Sequence, residues 1–350
     1  MKLNIGQHPW YIKLSSWEYW PWWILYIPVY IQHIVLSIKA KSPFFIYKAN
    51  PVIDEGFILG DSKFKTQQIV PNEYLPKTIF VNKKDTLNIV LSQLNKLAIS
   101  FPVILKPDIG FRGFLVHKIS NEEQLENTLK NIRVDHIIQE YVDFPVEVGV
   151  FYYRFPQNER GSIPSITVKE FLSVTGNGKH TLSELIILNP RAILQLEKLK
   201  VKFSSMWNQV VPEGEQILLE SIGNHNRGTK FINGNYLYCQ NLQDTFDKLN
   251  KKMEGFYFGR FDIRTKSIED LKKGINFKIL EVNGVGAEPT HVYDPNYKLI
   301  NAWKDMLHLW KVIYLIALQN KERGEKFPVF IEARNRWRTF KNYKKLAFRN

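Results

Sequence analysis

The chain has 350 residues, 44% hydrophobic and 23% charged, a balance that excludes a disordered protein. Its single cysteine, Cys239, excludes an internal disulfide framework and fits a reducing cytoplasm. The net charge of +14 points toward anionic substrates or surfaces.

Residues 1–50 form an aromatic N-terminal segment. Five of the nine tryptophans, Trp10, Trp17, Trp20, Trp22 and Trp23, fall in the first 23 residues. The apolar run from Pro21 to Lys41 is broken by Pro28 and by Gln32-His33, and is too short to span a bilayer convincingly. It lacks the basic start, compact apolar centre and small-residue cleavage site of a signal peptide. Tryptophans followed by Lys39 and Lys41 suit the interface of an anionic membrane, which makes the protein peripheral on the inner face of the cytoplasmic membrane. A hairpin buried against the body, or against the partner in a homodimer, is the alternative.

Residues 51–100 read as a short sub-domain, with a strand at Thr78–Val81 and a helix over 85–98 for which Asp85 is a plausible N-cap. In 101–150, strands at 101–107, 114–119 and 136–142 surround the turn 110–113 and a helix capped by Asn121, and the strand VEVGVFYYRF follows. The stretch 151–320 opens with a strand at 165–174. A helix follows, started by Thr181 with Glu184 at capping-box spacing, and then two strands around the loop 223–228. A helix at 242–253, the strands FYFGRFDIR and FKILEVN, and a long helix from Tyr297 to Asn320 complete it. Without regular βαβ alternation, the fold class is α+β. Residues 321–350 carry ten Lys/Arg against three Glu, a basic tail suited either to an anionic surface or to a solvated, weakly helical state. Trp337, Phe340 and Tyr343 lie among its basic residues, but no nucleic-acid module is present and no nucleic-acid partner is expected.

The chemistry concentrates on the last two strands. Residues i and i+2 of a strand project from one face, so Arg260 points with Asp262 and Glu281 with Asn283. If the strands are neighbours, two carboxylates, an amide oxygen and a guanidinium converge. Oxygen donors of this kind suit Mg²⁺, and an arginine beside them suits a transferring phosphoryl group. Two amphipathic strands with polar outer faces would look the same. Lys106 closes an apolar strand ahead of the Gly110 to Gly113 turn, a pattern that can hold a polyphosphate or merely turn a hairpin.

The order of the pieces is more specific than any one of them. Lys63 in GDSKFKT, then VILKP, the glycine turn, IIQEYV with Glu147, GRFDI and LEVN resemble the ATP-grasp superfamily, particularly D-alanine–D-alanine ligases. Residues 175–228 look more like the corresponding part of cyanophycin synthetases. The resemblance covers about residues 55–300. It implies an ATP-grasp fold of two α+β lobes clamping ATP, and a carboxylate–amine ligase working through an acyl phosphate, with ADP and phosphate as products. It also implies roles. Lys63, Lys106, Gly110 and Gly113 would hold the ATP phosphates. Glu140, Tyr141 and Val142 would form the adenine hinge, and Glu147 would take the ribose. Arg260, Lys169 and Arg227 would be catalytic, while Asp262, Glu281 and Asn283 would bind two Mg²⁺ ions. Glu288, Thr290 and His291 would line the acceptor pocket, with His291 either a base or a structural histidine. D-alanine–D-alanine ligases carry a full domain ahead of the grasp, whereas here about thirty residues separate Asn50 from Val81. Small-molecule or amphiphilic carboxylates and amines are therefore the expected substrates, rather than D-alanine. The alternative is a non-catalytic nucleotide-binding or membrane-scaffold protein of the same fold.

Overall fold

Three short helices begin the chain: α1 (Pro9–Ser15), α2 (Trp22–Leu25) and α3 (Ile27–Ala40). The computed structural model describes residues 5–53, 60–110 and 115–347. Pro28 does not break the apolar run. It falls in the first turn of α3, where a missing N–H costs nothing, and Gln32 and His33 continue the same helix. The segment is thus helical rather than a hairpin, and its inner side packs on the body. Leu25 and Val29 bury against Met306, while Leu36, Ala40 and Phe45 join the core around Leu309, Val312 and Ile313. Among the described residues no helix is long and apolar enough to cross a membrane.

The first lobe contains α4 (Lys63–Gln67), β1 (Thr78–Val81), α5 (Leu87–Lys96), β2 (Val103–Pro107), β3 (His117–Ile119), α6 (Glu122–Leu129) and β4 (His136–Glu140). Its antiparallel sheet runs β1-β4-β2-β3, so β1 shares one sheet with β2, β3 and β4. Val90 and Leu94 of α5 and Leu125 of α6 cover one face of it, against Val103, Leu105 and Ile138. The N-cap of α5 is Thr86 rather than Asp85, whose carboxylate instead accepts from the Asn82 amide at 2.8 Å. Asn121 does cap α6, accepting from the Gln124 amide.

The second lobe follows with β5 (Val146–Tyr153), β6 (Ser162–Glu170), β7 (Ser173–Thr175), α7 (Leu182–Leu188), α8 (Leu196–Lys202), β8 (Gln216–Leu218), β9 (Lys230–Asn233), α9 (Gln240–Lys251), β10 (Phe258–Thr265), α10 (Ile268–Lys273), β11 (Phe277–Asn283), α11 (Leu299–Glu322) and α12 (Phe330–Ala347). Its main sheet is antiparallel, in the order β11-β10-β5-β6-β9. The strand expected at 165–174 is in fact two. It breaks after Glu170, and β7 leaves to pair with β8. Thr181 and Glu184 form the anticipated capping box on α7. Val148, Val150, Phe261 and Ile263 bury one face of the main sheet against Phe246 and Leu249 of α9 and Leu271 of α10. On the other face, Phe151 and Phe258 pack on α11, and the remainder opens toward the first lobe.

A bulge decides which side chains meet there. Asp262 pairs with Glu281, but the next residue, Ile263, pairs with Ile279, so Leu280 is the extra residue of β11. That insertion lets Ile279 bury in the α9 core while Glu281, two residues on, faces the cleft.

Candidate active site

The two lobes enclose a cleft of about 860 Å³. Its floor is the open face of β10 and β11, where Arg260 lies opposite Asn283 and Asp262 opposite Glu281. Arg260 grips Asp262 through two contacts, Nε to Oδ1 at 3.0 Å and Nη2 to Oδ2 at 3.1 Å. Asn283 Nδ2 donates to Asp262 Oδ2 at 3.1 Å, and Lys169 Nζ, from β6, lies 3.4 Å from Oδ1. Burial would raise the pKa of Asp262, but Arg260 and Lys169 outweigh it and hold the group at about 2. Burial likewise opposes ionisation of Glu281, yet Lys63 and Lys106 keep its pKa below the usual carboxylate value. Both acids therefore stand charged at neutral pH.

The cations come from both lobes. Lys63 opens α4, whose start is held by Asp108: the Lys63 amide donates to the Asp108 carbonyl and the Phe64 amide to its carboxylate. From there Lys63 Nζ reaches Glu281 Oε1 at 2.8 Å and the Gly110 carbonyl at 3.5 Å. Lys106 extends from β2 to Gln139 Oε1 at 3.1 Å and to the Leu280 carbonyl, freed by the bulge, at 3.3 Å. Its burial lowers the pKa to about 8. Lys169 bonds Glu147 Oε1 at 2.8 Å, and although burial pulls its pKa down, Asp262 and Glu147 together carry it above the ordinary value.

Glu140, Tyr141 and Val142 also line the cleft, with Leu280 and Ile104. Glu147 is buried between Lys169 and Arg264, whose Nε donates to Glu147 Oε2 at 3.2 Å. Arg264 also donates to the Val142 and Phe144 carbonyls, tying that segment to β10. Gly223, in the loop above, has no room for a side chain, because a Cβ there would overlap the Glu147 carboxylate.

Two expected site residues lie elsewhere. Arg227 does not line the cleft, and its Nη1 pairs with Glu220 at 3.4 Å. His291 is buried outside it, bonded to Ser165 Oγ at 2.8 Å and Asp305 Oδ2 at 3.1 Å, as a structural histidine would be. Thr290 faces the cleft and bonds Thr167, and Glu288 faces it with both carboxylate oxygens accepting from tyrosines, Tyr26 at 2.5 Å and Tyr293 at 2.8 Å. Gly110 lines the cleft, while Gly113 lies outside the described residues.

Several contributors were missed. Arg264 shares the alternation of Arg260 and Asp262, a readable signal. The N-terminal segment carried none. Glu18, Trp20, Trp22 and Leu25 wall the cleft, and Glu18 is anchored by Arg191 at 2.5 Å and His225 at 2.9 Å.

Asp262, Glu281 and Asn283 carry side-chain oxygens on one face of two paired strands, a donor set that fits Mg²⁺ chemically. Among the described residues there is no cluster of three or more His, Cys, Asp or Glu side chains suited to a metal.

No protein-family model and no curated protein matches this chain. Solved structures similar to it include a D-alanine–D-alanine ligase from Bacillus anthracis, 16% identical over 77% of this chain and 71% of that one, with a TM-score of 0.45. A bifunctional glutathione synthetase from Pasteurella multocida is 13% identical over 76% of this chain, with a TM-score of 0.42; the match spans 37% of that enzyme. The VanG D-Ala:D-Ser ligase from Enterococcus faecalis is 11% identical over 78% of this chain and 64% of that one, with a TM-score of 0.40.

Proposed function

We propose that this chain is an ATP-dependent carboxylate–amine ligase that forms an amide through an acyl phosphate and releases ADP and phosphate. The observation that carries this reading is the pairing of Arg260 with Asn283 and Asp262 with Glu281 on the floor of a cleft whose other wall presents Lys63 and Lys106. The order of motifs, resembling ATP-grasp ligases, supports it.

In this reading ATP lies with its adenine against Tyr141, Val142 and Leu280, and its phosphates between Lys63, Lys106 and Lys169. Asp262, Glu281 and Asn283 would hold Mg²⁺, which, when bound, offsets the repulsion between polyphosphate and carboxylate. A substrate carboxylate oxygen attacks the γ-phosphorus, the bond to ADP breaks, and Arg260 faces the acyl phosphate. The amine then attacks the carbonyl carbon, phosphate leaves with the C–O electron pair, and the amine loses its proton. Glu288 and Thr290 border the far end of the cleft, where the acceptor would sit. The residues do most of their work by positioning.

The test is product analysis with Mg-ATP and pools of carboxylates and amines. ADP and phosphate are expected, and Asp262→Asn and Glu281→Gln each lower turnover by roughly a thousandfold or more. AMP with pyrophosphate, or near-normal phosphate release by either folded variant, overturns the assignment.

A further inference from the structure

Helix α3 is apolar on two opposite sides. Its inner pole, Val29, Leu36 and Ala40, is buried against the body. At 100° per residue, Ile27, Ile31, Ile34 and Ile38 fall on the outer pole, spaced four, three and four residues apart. These side chains are largely uncovered among the described residues: Ile27 is 49% exposed, Ile31 and Ile34 each 61% and Ile38 73%. A surface helix ordinarily turns polar residues outward, so a continuous isoleucine stripe marks a face that meets something other than water.

The neighbourhood selects the partner. Trp22 and Trp23, 55% and 56% exposed, stand just ahead of the stripe, and Lys39 and Lys41 are exposed at its far end. Glu18 is the one acid among residues 5–53, and it is buried in its pairing with Arg191 and His225. Lys48 is taken up by Glu325. Within residues 5–53 the exposed charge beside the stripe is therefore positive. The patch continues onto α12, since Phe44 lies 6.4 Å from Phe330, which is 72% exposed and opens a helix rich in arginine and lysine.

We propose that this face docks on an anionic lipid surface, with α3 lying in the plane of the interface. Isoleucines enter the outer acyl region, tryptophans sit at headgroup level, and lysines meet lipid phosphates. A fourteen-residue helix cannot span a bilayer, which fixes the in-plane arrangement. A second copy of the chain is the poorer occupant, because its facing surface would bring the same positive charges. Trp22 also lines the cleft, so the cleft opens beside the docked face.

The test is sedimentation of the full-length protein with phosphatidylcholine vesicles, with and without phosphatidylglycerol. Binding is expected with the anionic vesicles, weakened by added salt. An Ile31→Ser/Ile34→Ser/Ile38→Ser variant should bind about a hundredfold more weakly, with its melting transition and nucleotide binding retained. Quenching of tryptophan fluorescence by brominated lipid gives the same reading on the unaltered protein if that variant does not fold. Wild-type protein remaining in the supernatant with anionic vesicles, or unchanged binding by the folded variant, overturns the proposal. So does a lipid-free dimer that the variant converts to monomer. Nucleotide binding is measured separately, so the ligase reading stands or falls on other data.

Discussion

Lys106 enters the cleft from β2 stripped of water, and the carboxylates near it do not fully compensate; its pKa stands at about 8 against an ordinary 10.5. It is charged at neutral pH and loses its proton well before an exposed lysine would. Nucleotide affinity should therefore fall as pH rises through 8, and binding at pH 8 should take up a proton as the polyphosphate restores the charge. Calorimetry in two buffers of different ionisation heat checks this, and Lys106→Arg should abolish the uptake. Proton-neutral binding by the wild type would contradict it. The stability consequence has a definite sign. Folded Lys106 binds its proton less well than unfolded Lys106, so between about pH 8 and 10.5 the unfolded state holds more protons and stability rises with pH. At this scale much of the site was legible. Two-residue periodicity placed Arg260 with Asp262 and Glu281 with Asn283, because strand side chains alternate whatever the tertiary context. His291 was not legible, since only packing reveals that Ser165 and Asp305 bracket its ring.

Among the elements, β10 and β11 bear the site, and Gly259 permits their approach. A Cβ there would overlap the Asn283 carbonyl and the Phe256 ring. Gly259→Ala should push the strands apart next to the Arg260–Asn283 pair and destabilise the protein by about 1–3 kcal/mol. Turnover should fall further than the small loss of folded protein explains. Urea denaturation beside assays on the folded fraction measures both, and full activity with unchanged stability would show that the sheet tolerates the methyl group. The helix caps at Asn121 and Thr181 were readable from local chemistry alone. The bulge at Leu280 was not, because FKILEVN carries no glycine or other mark of an inserted residue. The break after Glu170 was equally silent, since β7 diverges to meet β8, a partner more than forty residues away.

Across the whole molecule, the N-terminal helices are part of the core and of the cleft wall together. Leu25, Val29, Leu36 and Phe45 are buried against residues of α11 and the main sheet. The Trp17 indole N–H donates to the Tyr297 carbonyl, and that of Trp303 to the Leu25 carbonyl. Each such buried side chain contributes roughly 1.5–3 kcal/mol, so their sum rivals the net stability of a typical domain. A chain beginning at Ala49 should therefore lose its cooperative melting transition or become insoluble. A melt within a few degrees of the full-length protein would show that the helices are dispensable. The basic tail is likewise more than a solvated extension. α12 places Tyr343 to donate to the Ile109 carbonyl at 2.8 Å, next to Gly110, and sets Arg336 over the Tyr47 ring.

Periodicity, caps and motif order together determined the α+β class, most elements and the acids, lysines and arginine that line the cleft. These are properties of a strand, a helix end or a short loop, and near neighbours in the chain decide them. The tertiary structure alone decided which carbonyl Lys106 reaches, that Arg264 links Glu147 to the Val142 carbonyl, and that Arg227 and His291 stay outside the cleft. It alone also made the aromatic segment both a cleft wall and an exposed face. An isoleucine stripe reads the same in sequence whether buried or bare, and only the packing of α3 on α11 shows which of its two apolar sides is left over.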